Sequence, residues 1–253
     1  MSDVVLLDVP ADGVARLSLN RPDALNALNR AVAEGLEAAL ARVAGMAEVR
    51  VLLVEGRGRA FCAGNDIGEM EHLTPADAET LSRRWATLMD RFATLPQVTI
   101  AVIDGHALGG GLMLAVAQDL RIASDRARFG LPEVTLGFNP GYGIARLLDV
   151  AGGNHGRDLL LTGRTVHATE ALRMGVINRV VAAPTLAETA HAWAVDVARS
   201  PQEGLAATKQ IVAGIRAGRL GREPEAYGTA LRTGAAARER IRAFIARKQS
   251  RRV

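Results

Sequence analysis

The chain has 253 residues, 49% apolar and 23% charged, with a formal net charge of +4. Such a chain is long enough for one large domain or two small ones with an ample core, and its balance excludes wholesale disorder, a collagen-like fibre or a low-complexity scaffold. No apolar run reaches the roughly 18–20 residues that span a bilayer, the opening MSDVVLLDVPADG lacks the basic and apolar regions of a signal peptide, and the single cysteine, Cys62, excludes a disulfide framework or a Cys-clustered metal site. These features lead to the expectation of a soluble protein of a reducing compartment, the cytoplasm.

In chain order, Val4–Val9 and Val14–Asn20 read as strands around the turn Pro10–Gly13. Asn29–Gly45 carries Val32, Leu36, Ala39, Leu40 and Val43 at helical spacing and ends in glycine. Arg50–Glu55 contains the apolar run of a buried strand. Pro75–Leu95 reads as a long helix, Val98–Ile103 as a strand, Gly110–Gln118 as a helix and Leu120–Ala123 as a strand. From Ala145 onward the pattern is mostly helical, with a short strand at Asn178–Val181. Alternating strands and helices followed by helices predict an α/β core with a helical C-terminal extension, the junction falling at residues 185–200.

Charge is unevenly placed. From Arg232 onward there are eight basic residues and one acid, Glu239, so this tail carries +7 and the rest of the chain −3. A basic C-terminal helix fits nucleic acid, an acidic membrane or a phosphorylated small ligand, and equally a solvated helix face. Only Lys209 and Lys248 are lysines, so the chain favours arginine throughout and the arginine count alone decides nothing.

Three segments have the composition of a chemical site. Gly56–Asp66 follows a buried strand, and Asp66 is a good N-cap for a helix beyond it. His106–Met113 repeats the design with three consecutive glycines, Gly109, Gly110 and Gly111. Its spacing fits neither the dinucleotide fingerprint nor the P-loop. Two such turns that converge would present a pair of backbone N–H donors, an oxyanion hole; glycines that only permit close packing are the other reading. The third segment, Phe129–Gly137, places Glu133 among Leu131, Val134 and Leu136. A carboxylate in apolar surroundings has a raised pKa and exchanges protons near neutrality, whereas a surface Glu133 would only cap a helix or pair with a cation. Cys62 reads as a small buried apolar residue and His106 as structural. The histidines show no metal-ligand spacing and there is no GxSxG elbow.

Together these segments resemble the enoyl-CoA hydratase/isomerase, or crotonase, superfamily. The resemblance runs through Leu19–Leu28, Phe61–Ile67, Ala107–Gly111, Phe129–Glu133 with Leu136-Gly137, Leu161–Gly163 and Ala171–Asn178, in the family's order. It implies a crotonase-like spiral core of ββα turns over residues 1–195 with the acyl-CoA site, then a helical region over 196–253 for trimerisation and CoA contact. It further implies an acyl-CoA thioester substrate, no cofactor beyond the coenzyme A of that substrate, and a homotrimer or dimer of trimers. By resemblance the oxyanion hole is the N–H of Ala63 and of Gly110, with Glu133 as acid/base. Gly64, Asn65 and Asp66 would line the acyl pocket entrance, Asp23 and Ala24 would lie along the CoA nucleotide, and Phe244 and Arg247 would reach CoA from the C-terminal helix.

One departure matters. Family hydratases carry a second glutamate two residues after the last glycine of the cluster, and here that position is Met113. A single carboxylate against a drier wall favours moving a double bond, 3-enoyl-CoA to 2-enoyl-CoA, over adding water. Hydration of a 2-enoyl-CoA is the alternative within the enzymes. A CoA- or RNA-binding member of the fold without catalysis is the alternative of another class, and the retained Glu133 argues against it.

Overall fold

A computed structural model describes residues 4–9, 12–219, 231 and 233–250. Pro10 and Ala11 of the first turn, and Arg232, Arg251 and Arg252 of the basic tail, lie outside these residues.

Two sheets are wound together. The larger has six strands in the order β1 (Val5–Asp8), β2 (Val14–Leu19), β3 (Val51–Gly56), β5 (Val98–Ile103), β7 (Leu120–Ser124) and β10 (Arg179–Val181). Only β1–β2 is antiparallel; β3 pairs with β5 from Val51↔Val98, and β5 with β7 from Ile100↔Leu120. The smaller sheet runs β4 (Ala60–Cys62), β6 (His106–Leu108), β8 (Arg128–Gly130) and β9 (Thr165–His167). Three times in succession the chain gives one strand to the large sheet and the next to the small one: β3–β4, β5–β6, β7–β8. Each turn of this spiral is displaced by one strand, so the loops after β4, β6 and β8 stack side by side, and those loops are the three segments singled out from the sequence.

The helices fall on both faces. Helix α1 (Arg30–Ala44) starts at Asn29, whose side chain accepts the Val32 N–H, and buries all five of its periodic apolar residues. A short α2 (Ile67–Met70) follows β4. Helix α3 (Pro75–Thr94) buries Trp85, Leu88, Met89 and Phe92, and Arg84 forks onto Glu37 of α1 at 3.0 and 2.9 Å. Helix α4 (Gly110–Ala117) has all eight residues buried, as expected of a helix that is apolar all round and central to a core. After α5 (Ile144–Thr162) and α6 (Ala168–Arg173), helix α7 (Leu186–Ala198) covers the other face of the large sheet, where Leu186, Ala190 and Ala194 meet Val51, Leu53, Ile100 and Ile122. Helix α8 (Gln202–Arg216) is tied to the core by buried Lys209, 2.7 Å from both Asp119 Oδ2 and Gln97 O. A last helix, Ala235–Ser250, follows.

The long elements agree with the periodicity to within a residue or two. The sequence pattern assigns no strand at β4, β6 or β8, and β9 lies in a stretch whose pattern is mostly helical. At three residues each, these strands are too short to show alternation.

Candidate active site

Glu133 lies in a 3-10 turn, Pro132–Leu136, that follows β8. The side chain is 9% exposed, and Oε2 is buried without a hydrogen-bond partner among the described residues. Burial pushes the carboxyl pKa up, partly countered by a bond from its own backbone N–H. The carboxyl faces the glycine cluster: a Cβ built on Gly109 would stand 2.8 Å from Oε1. Gly109 itself is at φ +52°, ψ −126°, a conformation open to glycine and little else.

Gly110 opens α4. The first bond within the helix is from Met113 N to Gly109 O at 3.1 Å, so the N–H groups of Gly110, Gly111 and Leu112 have no partner inside the helix. Glycine is required here by close approach. A Cβ on Gly111 would strike the Cys62 carbonyl, and one on Gly110 would lie 2.7 Å from Asn65 Oδ1.

The second expected donor needs correction. The Ala63 N–H donates to Leu25 O at 3.0 Å and is therefore engaged. Gly64, at φ +108°, then turns the chain. Leu28 bridges this loop by donating to Gly64 O (2.8 Å) and accepting from Asp66 N (2.9 Å). In such a parallel bridge the central residue's own N–H points away from the partner. That residue is Asn65, whose N–H donates no backbone hydrogen bond among the described residues. The Gly64 Cβ position is 3.6 Å from Gly110 N, so the two loops meet here. The free pair of donors is Asn65 and Gly110.

These groups border one cavity of about 260 Å³, lined by Asn65, Gly110, Met113, Glu133, Phe138 and Tyr142 among others. Glu133 is its one acidic residue among the described lining. Met113, 1% exposed, is part of the wall, at the position where family hydratases carry their second glutamate. Of the three residues expected along the acyl pocket only Asn65 is in this lining: Gly64 is buried outside it, and Asp66, also outside, caps α2 by accepting the Glu69 N–H and pairs with Arg21 at 3.0 Å. Asp23 and Ala24 form a 3-10 turn outside the cavity lining. Phe244 (61% exposed) and Arg247 lie on the exposed C-terminal helix, also outside that lining. Cys62 is fully buried with its thiol pushed up to about 12 by burial, which makes it inert at neutral pH.

The sequence reading missed Tyr142, Phe138, Met70 and Ser82 in the lining. The available signal was Gly141-Tyr-Gly143 after Pro140: a Cβ on Gly141 would meet Ser82 Oγ at 2.6 Å, and one on Gly143 would meet Met113 Sδ at 2.7 Å.

A larger hollow of about 990 Å³ lies at the opposite end of α4, between α5, α8 and the last helix. Its cations among the described residues are engaged within the protein: Arg121 by the carbonyls of Val176 and Gln118, Arg146 and Arg216 by Asp90, Lys209 by Asp119 and Arg240 by Glu203. Among the described residues it lacks a buried unpaired carboxylate beside free backbone donors, a combination that the smaller cavity has.

The raised pKa of Glu133 has a stability consequence. Relative to an unfolded chain at the ordinary glutamate value of 4.5, the folded state favours the protonated form. Below that value both states are protonated and nothing is lost; as pH rises through the window above it, the buried carboxylate destabilises the fold. Glu133→Gln is therefore expected to raise Tm relative to the native chain at neutral pH, with the difference shrinking as pH falls toward 4. Thermal melts of both proteins across that range check this, and a difference independent of pH would refute it.

The family model for enoyl-CoA hydratase/isomerase matches residues 10–226. A probable enoyl-CoA hydratase of Mycolicibacterium paratuberculosis is 38% identical over 230 residues, covering 88% of this chain and 89% of the relative. One from Mycobacterium bovis is 40% identical over 79% of this chain and 77% of its own. Among solved structures, an enoyl-CoA hydratase from Bacillus anthracis superposes with a TM-score of 0.82 at 34% identity, covering 85% of this chain and 84% of that one. One from Mycobacterium smegmatis gives 0.88 at 28% identity over 97% of both chains. With the spiral of paired sheets shared along such lengths and the family's pattern running from residue 10 to 226, this chain belongs to the enoyl-CoA hydratase/isomerase family.

Proposed function

We propose that the chain acts on acyl-CoA thioesters by stabilising a thioester enolate, with Glu133 as the single acid/base, and that it shifts double bonds in preference to adding water. The observation that carries the reading is the meeting of one buried, unpaired carboxylate with two free backbone N–H groups in one small cavity. The thioester oxygen accepts from Gly110 N–H and Asn65 N–H. Each such donor lowers the barrier by about 3–4 kcal/mol as negative charge develops on that oxygen. Glu133 takes the α-proton of a 3-enoyl-CoA, and the electron pair delocalises through the dienolate. The same carboxyl returns the proton at the γ-carbon, leaving the 2-enoyl-CoA. No proton is gained or lost overall, and coenzyme A enters only as part of the substrate.

Hydration of a 2-enoyl-CoA is the second reading. The names of the relatives favour it, and so do the polar groups of Asn65, Ser82 and Tyr142 in the lining, which offer places for a water. Assaying the purified protein with matched 2-enoyl-, 3-enoyl- and aromatic acyl-CoA thioesters tests both: turnover of none of them overturns the acyl-thioester reading.

The C-terminal helix is assigned to CoA contact and assembly. Ile241, Phe244 and Ile245 are about half or more exposed on it (52%, 61% and 49%) beside Arg247, an apolar and basic surface suited to a nucleotide and a neighbouring subunit. Asp23 and Ala24 are assigned to the nucleotide as well. Deleting the residues after Ala237 is expected to weaken CoA affinity in calorimetry and disturb a trimer in light scattering. A truncated protein that stays trimeric and binds CoA normally gives the helix another role. Loss of RNA binding with a steep salt dependence would move it to nucleic acid.

A further inference from the structure

Tyr142 is 7% exposed, and its ring stacks on buried Trp85 with centroids 6.4 Å apart and planes 21° from parallel. Its hydroxyl donates to Asn65 Oδ1 at 2.8 Å. Both oxygens lie directly over the Gly110 α-carbon, where a Cβ would stand 2.5 Å from the Tyr142 oxygen and 2.7 Å from Asn65 Oδ1. The tyrosine therefore touches the two residues whose N–H groups are free, yet lies 77 positions from one of them in sequence.

We propose that Tyr142 is a positioning residue of the oxyanion site, acting through Asn65: its hydroxyl fixes the Asn65 side chain and with it the peptide whose N–H works beside that of Gly110. This rests on the acyl-thioester reading above. Asn65 follows a glycine at φ +108°, so its peptide is held by Leu28 on either side but not through its own N–H. The remaining restraint is the side chain. A ring stacked on Trp85 has few rotors left, so its O–H is a rigid anchor. Burial holds the phenol well above its usual pKa, which keeps that proton in place at any pH the enzyme meets. Donors to a developing oxyanion act through fixed geometry, and a displacement of about 1 Å can cost 10²-fold in rate.

The test uses Tyr142→Phe, which keeps the ring on Trp85 and removes only the hydroxyl, with Asn65→Ala and the double variant alongside. The probe is a chromophoric cinnamoyl-type enoyl-CoA, whose absorption moves to the red when its thioester carbonyl is polarised. Expected for Tyr142→Phe is a kcat about 10-fold lower with KM within about two-fold, and a reduced red shift of the bound probe. If Tyr142 acts through the Asn65 side chain, the double variant is no worse than the poorer single one. A native kcat with a full red shift in Tyr142→Phe, or losses that add in the double variant, overturns the proposal and leaves the site reading intact. Absence of any red shift in the native protein overturns the acyl-thioester reading and this inference with it.

Discussion

Glu133→Gln is expected to lower turnover of an acyl-CoA substrate by about 100-fold or more, the scale of general acid/base catalysis, while thioester binding survives. The substitution keeps the shape that fills the space against Gly109 and removes only the ability to take and return a proton. Binding should persist because, on the proposed reading, the thioester oxygen accepts from backbone N–H groups that the change does not touch. Nothing else in the described lining or beside it can substitute. Cys62 is buried with its thiol at about 12, His106 is exposed on β6 outside the lining, and Tyr142 is held in its neutral form. The pH profile follows from the same burial. A base works deprotonated, so kcat/KM should rise with pH through an apparent pKa above the ordinary 4.5, and that limb should vanish in Glu133→Gln. Steady-state rates and calorimetric affinities for the two proteins decide the matter; turnover within a few-fold of native removes Glu133 from the role.

Much of this site was legible before the structure, and the illegible part has physical causes. The periodic residues of α1 all turned out buried, because an amphipathic helix writes its core face directly into its spacing. The three glycine-bearing loops could be recognised as candidates, since free N–H groups and close approach both demand small residues. Which N–H is free could not be read. The choice between Ala63 and Asn65 depends on Leu25 O accepting from one of them and on the turn at Gly64, and neither is a property of local composition. Tyr142 escaped for another reason. Its partner Asn65 is remote in the chain, and only the stacking of successive spiral turns makes them neighbours. Glu133 was legible because Leu131, Val134 and Leu136 surround it in sequence, yet Val134 and Leu136 are exposed (40% and 63%). Its dry setting comes instead from Gly109 and the cavity wall.

The reaction itself gives the last prediction: kcat/KM for converting a 3-enoyl-CoA to the 2-enoyl-CoA should exceed kcat/KM for hydrating a 2-enoyl-CoA of the same chain length. Hydration has to hold a water against the β-carbon, activate it and deliver a proton to the α-carbon, work suited to two carboxylates. The described cavity lining offers one, and Met113 presents a thioether against Gly143 at the position of the other. Isomerisation asks only that one group carry a proton between two carbons of a bound dienolate, and a dry wall protects that intermediate from water. Met113→Glu should then raise hydration relative to isomerisation. The gain is expected to be small. The new carboxylate would be almost wholly buried, as Met113 is at 1% exposure, and a catalytic group placed without a supporting shell built for it loses most of its effect. Desolvation would favour its neutral form and lower stability. The unmutated protein therefore gives the decisive measurement, with both products followed by chromatography on matched substrates. Hydration clearly faster than isomerisation would refute the single-base argument, and would place the activating contact for water on Glu133 together with the Asn65 and Tyr142 pair above Gly110.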